Sequence, residues 1–186
     1  MLEPVSNIPP QASHSSADLY SPNKPWHNRH LTTLPTTRNL GLENFTTHPT
    51  TPPIYIEPVA LPNNIYALRV TDGGDDLSKT PYIAALEDHR YSYTPDAIGL
   101  KTVYASSPVS EVEGCPEQFA CVSNGFIVYE DEGRKLAYGG FVGGWKAEKD
   151  AGTEGWHVYW VKKSERVSGA IELEIVAKVS TYKDIS

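Results

Sequence analysis

The feature that most constrains the fold is a regular alternation near the end of the chain. In the segment AIELEIVAKV, every second residue is apolar: Ile171, Leu173, Ile175, Ala177 and Val179. Three of the four positions between them carry a charge. A helix would scatter these apolar side chains around its surface, whereas a strand places them all on one face. The segment therefore predicts a β-strand with one buried face and one exposed face.

Other stretches of β-forming residues occur between residues 64 and 180: NIYALRVT, PYIAAL, GLKTVYAS, EQFACV, FIVYE, KLAY and WHVYWV. Turn-forming clusters such as TDGGDD and DEGR separate them, and FIVYE with KLAY is the strongest predicted hairpin. No convincing amphipathic helix intervenes. About eight short strands without helices predict an all-β fold, an antiparallel β-sandwich or a small barrel.

The first third of the chain has a different composition. Eleven of the 15 prolines lie at or before Pro62, and 13 of the 14 glycines lie after it. The stretch HLTTLPTTRNLGLENFTTHPTTPP shows no sustained period. We therefore expect residues 1–60 to be a disordered Pro/Thr/Ser-rich tail, 61–181 to be the β domain and 182–186 to be a short C-terminal tail. The sequon at Asn44 would accept an N-glycan on a secretory route.

Charge and hydropathy exclude several classes of protein. The 186-residue chain has a net charge of −7 and no basic stripe, which disfavours binding to nucleic acid. No stretch approaches the roughly 20 apolar residues of a membrane span. The beginning MLEPVSNIPP lacks the charged and apolar regions of a signal peptide, so we expect either a cytoplasmic protein or a mature secreted chain with an added methionine. A monomer is expected.

The two cysteines are Cys115 and Cys121. One pair cannot provide the four cysteine ligands of a structural zinc site. A straight strand would hold their Cα atoms about 20 Å apart, whereas a disulfide needs about 4.4–6.8 Å. A bridge therefore requires a turn, which Pro116 would favour. A disulfide and two free thiols both remain open.

The segment Gly139–Lys163 combines glycines with tryptophans. It lacks a phosphate-binding glycine pattern followed by a helix, so a nucleotide site is disfavoured. We expect Gly143 and Gly144 to begin a polar loop, KAEKDAGTEG, that precedes the WHVYWV strand. Trp156 and Trp160 alternate in phase and are predicted core residues. The functional alternative is a sugar-stacking platform formed by Trp145 and Tyr159.

Catalytic candidates are few. His89 and His157 are the two histidines of the predicted β domain, and Glu87, Asp88 and Glu154 lie near them in sequence. A histidine and a carboxylate could serve a small hydrolase as acid and base. Packing of each histidine in the fold is the simpler interpretation. The sequence predicts no metal site and no cofactor.

Beyond these patterns, IYALRV and PYIAALEDHRYSYTPDAIGL, followed by GFIVYE, YGGFVGGW, WHVYWV and AIELEIVAKV, resemble in order and spacing a family of small secreted fungal proteins with a domain of unassigned function. The resemblance covers residues 64–180 and implies a compact all-β domain, a secreted location and a fungal source. It carries over no active-site residues.

We therefore expect a non-enzymatic secreted or cell-surface protein that acts by binding a glycan or a host or cell-wall protein. The alternatives are a carbohydrate-binding module that uses exposed aromatic residues and a small His/carboxylate hydrolase.

Overall fold

The computed structural model describes residues 30–34, 37–43, 51–71, 79–88, 97–149, 155–164 and 169–179, with backbone alone at 15–20, 88 and 178–179. Their strands are β1 Ser15–Tyr20, β2 Thr32–Thr33, β3 Leu40–Glu43, β4 Tyr55–Leu61, β5 Ile65–Val70, β6 Thr80–Asp88, β7 Ala97–Ala105, β8 Val112–Glu113, β9 Phe119–Val122, β10 Phe126–Tyr129, β11 Lys135–Tyr138, β12 Gly143–Lys149, β13 Gly155–Lys162 and β14 Ile171–Val179. Two 3-10 turns, Pro62–Asn64 and Glu130–Glu132, are the only helical elements within these residues. The protein is an antiparallel all-β protein, as the sequence predicts.

Each strand predicted from the sequence is present. FIVYE and KLAY form the β10–β11 hairpin, with Phe126 opposite Tyr138. In β14, the alternating residues Leu173, Ile175 and Ala177 are buried, which confirms the predicted inner face.

The strand pairings close into a ring. Following the hydrogen-bonded neighbours gives the order β5–β10–β11–β14–β12–β13–β7–β6, and β6 pairs again with β5. Every one of these pairings is antiparallel. A second path joins β14 to β5 through β1 and β4. The architecture is therefore closer to a small barrel than to two separate sheets. Closure of the ring also leaves fewer strand edges unpaired.

The buried apolar side chains of the described residues form two clusters. The main cluster lies inside the ring and includes Leu68, Ile83 and Leu100. The neighbouring residues Ala67, Tyr82 and Val103 point to the other side of the same strands and form a smaller cluster. Strands β5, β6 and β7 are therefore buried on both faces, whereas β14 keeps one face in solvent.

Where the structure describes it, the segment predicted as a tail, residues 1–60, contains strands. Leu31, Leu40, Leu42 and Ile56 are buried in the main cluster. The described β domain thus includes strands that begin well before residue 61, and residues 1–14, 21–29, 35–36, 44–50 and 180–186 lie outside the described residues. The apolar area that these residues bury offsets the conformational entropy lost when the segment becomes ordered. The Pro/Thr/Ser-rich composition alone did not indicate this burial.

Two glycines permit this N-terminal segment to dock. Strand β3 pairs with β13, with Gly41 opposite His157 and Gly155 opposite Glu43. A Cβ atom at Gly41 would lie 2.3 Å from the backbone oxygen of Trp156, and one at Gly155 would lie 2.0 Å from that of Leu42. Gly155 also has φ of 137°, a value that favours glycine. Close backbone contact therefore holds β3 on the barrel.

Candidate functional site

A concavity lies where β11 and β12 both meet β14. Strand β11 pairs with β14 only through Lys135 and Val176. Strand β12 pairs with β14 from Trp145, opposite Leu173, to Ala147. The chain between Lys135 and Trp145 leaves β14, and a cavity of about 660 Å³ opens there. We call this opening the β11–β12 cleft.

The cleft has an apolar interior and a charged rim. Its apolar lining residues are Leu136, Ala137, Val142, Trp145, Trp160, Val161, Leu173 and Ile175. Its charged lining residues are Glu132, Lys135, Lys146, Lys163, Glu172 and Glu174. Among the described residues, three lysines and three glutamates line the rim, and their charges cancel. The size is typical of small-molecule sites, which usually combine apolar walls with a few polar groups.

Ion pairs organise one side of the rim. The Nζ atom of Lys135 lies 3.1 Å from Glu174 Oε1 and 3.4 Å from Glu132 Oε2. The hydrogen bond to Glu174 raises the pKa of Lys135 above its ordinary value, with further contributions from the charges of Glu174 and Glu132. Lys135 therefore stays cationic at neutral pH. On the same outer surface, Lys146 lies directly opposite Glu172 in the β12–β14 pair.

The structure contradicts the predicted polar loop after Gly143 and Gly144, and it contradicts the exposed Trp145 ring that a sugar-stacking platform would need. Residues 143–149 form β12, and Trp145 is 3% exposed. Its indole N–H donates a hydrogen bond of 2.6 Å to the backbone oxygen of Leu136. Its ring also packs edge-on against Trp160, with centroids 5.1 Å apart. Trp145 therefore holds β12 and β11 together behind the cleft and does not serve as a stacking platform.

Val142 and Tyr129, which the sequence analysis did not single out, provide much of the accessible part of the cleft. Val142 is 77% exposed and Tyr129 is 45% exposed, although both carry large apolar groups. A Cβ atom added to Gly144 would have no heavy atom within 4 Å. The alternation of Trp145 and Ala147 with Lys146 and Glu148 is the sequence signal that could have identified β12.

The other aromatic predictions fit the structure. Trp160 is buried in the main cluster and Trp156 packs against it, which confirms the predicted inner face of β13. Tyr159 and His157 occupy the opposite face of that strand and are both partly exposed. Tyr159 is therefore accessible, as the stacking hypothesis requires, but it lies on the outer surface and not beside the Trp145 ring.

The predicted histidine–carboxylate combination is not assembled by the described residues. Glu87 accepts a hydrogen bond from the hydroxyl of Tyr138, a residue of the main cluster. His157 lies on the outer face of β13, next to Tyr159. Glu87 and His157 are thus on opposite sides of the barrel wall. His89, Glu154 and Asn44, together with the side chain of Asp88, lie outside the described residues.

The cysteines form a disulfide. The Cα atoms of Cys115 and Cys121 are 5.8 Å apart, and both sulfur atoms are in the bridge. The amide of Phe119 donates to the backbone oxygen of Pro116 at 2.9 Å. This is the turn that the sequence required for a bridge, and it leads into β9.

Among the described residues, no group of three or more histidine, cysteine, aspartate or glutamate side chains is placed to hold a metal ion. Within the same part of the chain, no helix has the length and apolar character needed to cross a membrane.

Comparison with known proteins finds no matching family model, no similar curated protein and no similar solved structure. The resemblance to secreted fungal proteins therefore stays a prediction.

Proposed function

We propose that this is a non-enzymatic binding protein, secreted or held at the cell surface, and that it takes a neutral carbohydrate in the β11–β12 cleft. The observation that carries the proposal is the cleft itself: an opening of about 660 Å³ with apolar walls and a rim of balanced charges.

The chemistry of the cleft suits a sugar. Hydroxyl groups both donate and accept hydrogen bonds, so they can meet lysine ammonium and glutamate carboxylate groups side by side. The C–H faces of a sugar ring can pack on apolar groups such as Val142 and Tyr129. A rim with no net charge gives no electrostatic advantage to an anionic or a cationic ligand.

Several features favour binding over catalysis. A nucleophilic lysine needs a lowered pKa, whereas the hydrogen bond to Glu174 raises that of Lys135. Glycoside hydrolysis needs two carboxyl groups that flank the scissile bond. Glu172 and Glu174 project from the same face of one strand. Glu132 and Glu174 both pair with Lys135, so the three carboxylates of the rim lie together and do not flank a ligand.

The Cys115–Cys121 disulfide supports the proposed location. Disulfides persist in secreted and cell-surface proteins and are rare in the reducing cytosol. A cell-wall or host glycan is the partner that fits both this location and the cleft. The predicted fungal source is part of the same proposal.

The test uses two valines that are both strongly exposed. Val142 lines the cleft and is 77% exposed, whereas Val109 is 69% exposed and does not line it. An array of neutral and charged glycans is probed with the parent chain, Val142→Arg and Val109→Arg. We expect the parent and Val109→Arg to bind the same neutral glycans and Val142→Arg to lose them. Equal binding by both variants, or no binding by the parent, would refute the proposed function.

A further inference from the structure

The outer surface next to the cleft carries a row of side chains that crosses several strands. Glu172 of β14 lies opposite Lys146 of β12, and Lys146 lies opposite Tyr159 of β13. Tyr159 in turn lies opposite Gly99 of β7. Side chains that are direct cross-strand neighbours have Cβ atoms about 4.5–5.5 Å apart. The row is therefore continuous across the sheet, perpendicular to the strands.

The row ends at Gly99 of β7, which has no side chain. The position that a Cβ atom of Gly99 would take lies 3.7 Å from Tyr159 Cε1 and 3.8 Å from Leu86 Cδ1. Because Gly99 has no side chain, the edge of the Tyr159 ring rests over the backbone of β7 and beside Leu86. This support limits the orientations that the ring can adopt while leaving it partly exposed.

His157 extends the aromatic surface along β13. The centroids of the His157 and Tyr159 rings are 6.0 Å apart, and their planes differ by 37°. Glu148 lies opposite His157, in the same way that Lys146 lies opposite Tyr159. The two rings thus form an aromatic strip with an acidic and a basic neighbour on one side.

The strip and the cleft are parts of one surface. Lys146 and Glu172 belong to the row and also line the cleft. Val161, another lining residue, is two positions from Tyr159 on the same face of β13. A ligand that leaves the cleft over Lys146 therefore reaches Tyr159 next.

We propose that the Tyr159–His157 strip is a second subsite, continuous with the cleft, and that the ligand is a linear neutral oligosaccharide of several units. This inference rests on the proposed function and specifies its ligand as a chain. One part of the chain occupies the cleft, and a following ring stacks on Tyr159.

Charge and geometry select this occupant. The strip has one basic and one acidic neighbour, Lys146 and Glu148, so it offers phosphate groups no positive surface, and the chain carries a net charge of −7, so a nucleic acid does not fit. A peptide strand gains most of its affinity by pairing with a free sheet edge. The row instead crosses paired strands at right angles, where the backbone hydrogen bonds are already made.

The experiment measures affinity as a function of ligand length by calorimetry. The probes are neutral linear series from disaccharide to hexasaccharide: β-1,3- and β-1,4-linked glucose, β-1,4-linked mannose and β-1,4-linked N-acetylglucosamine. The proteins are the parent, Tyr159→Ala and, as a matched control, Tyr104→Ala, which removes an exposed tyrosine from the β7 strand. His157→Ala is the second variant in case Tyr159→Ala does not fold.

We expect the parent to bind the hexasaccharide of one series at least about tenfold more tightly than the disaccharide, the equivalent of about 1.4 kcal/mol. Tyr159→Ala should lose this gain while its disaccharide affinity stays unchanged, His157→Ala should lose part of it, and Tyr104→Ala should retain it. If affinity does not depend on length, or if Tyr159→Ala and His157→Ala both retain the gain, the second subsite is refuted while the cleft stands. If no series binds, both proposals fail.

Discussion

Replacement of Trp145 by alanine should strongly destabilise the protein, although Trp145 lines an open cleft. The side chain is 3% exposed, and it makes two specific contacts. Its N–H donates to the Leu136 oxygen at 2.6 Å, and its ring packs edge-on against Trp160. Loss of the donor leaves a buried carbonyl unpaired, which costs about 1–3 kcal/mol. Loss of the aromatic pair costs about 0.5–1.5 kcal/mol.

Adding the lost apolar burial brings the total to the range measured for large aromatic deletions, about 3–5 kcal/mol. Trp145→Phe keeps a ring near Trp160 but removes the N–H donor, so its cost should be smaller, about 1–3 kcal/mol. Tyr129→Ala removes an exposed aromatic residue from the same cleft and should change stability by less than about 0.5 kcal/mol.

Urea unfolding followed by far-ultraviolet circular dichroism measures these differences without depending on tryptophan emission. With a typical slope of about 1–3 kcal/mol per molar urea, Trp145→Ala should lower the midpoint by at least about 1 M. A Trp145→Ala midpoint equal to that of Tyr129→Ala would show that the indole does not join β11 to β12.

Two further predictions concern the interior and the disulfide. Burial, with a further contribution from Glu87, raises the pKa of Tyr138 above its ordinary value of about 10. The unfolded state therefore loses this proton at a lower pH than the folded state does. The contribution of Tyr138 to the free energy of unfolding is fully present below about pH 10 and decreases as the pH rises further. Tyr138→Phe should flatten this alkaline decrease in a pH series of thermal melts; an unchanged slope would contradict it. The double variant Cys115→Ala/Cys121→Ala opens a short loop and should lose about 2 kcal/mol in urea unfolding, whereas an unchanged midpoint would show that the bridge adds nothing.

The sequence predicted most of the strands because apolar and polar side chains alternate along them. This alternation places the apolar residues on one face in a strand but not in a helix. The alternation in β14 and β13 correctly separated Leu173 and Trp160 inside from Glu174 and Tyr159 outside. The hairpin and the turn at Pro116 followed from local turn chemistry. These features depend on neighbours in the chain, which a sequence displays directly.

The N-terminal strands were missed because their burial depends on distant partners. Leu40 and Leu42 lie in a strand of four residues, too short to show a period. Strand β3 can pair with β13 because Gly41 and Gly155 allow the two backbones to approach closely. Proline and threonine composition alone contains no information on that contact.

The sequence also did not predict the cleft, for a different reason. It arises where the pairing of β11 with β14 ends after Lys135 and that of β12 with β14 begins at Trp145. Register between strands that are far apart in sequence determines its shape. The glycines at 143 and 144 were noted in the sequence, but only the structure shows that Gly144 faces open space.

Backbone chemical shifts of the full chain, titrated with the neutral linear hexasaccharides, test most directly whether the β11–β12 cleft binds a sugar. We expect one series to move the amide signals of Leu136, Ala137, Gly143 and Gly144, which line the cleft. Saturable changes confined to these positions and their neighbours on the outer face of β12 and β13 would support it. Changes centred away from the cleft, such as in the loop around Val109, or no change with any hexasaccharide, would contradict it.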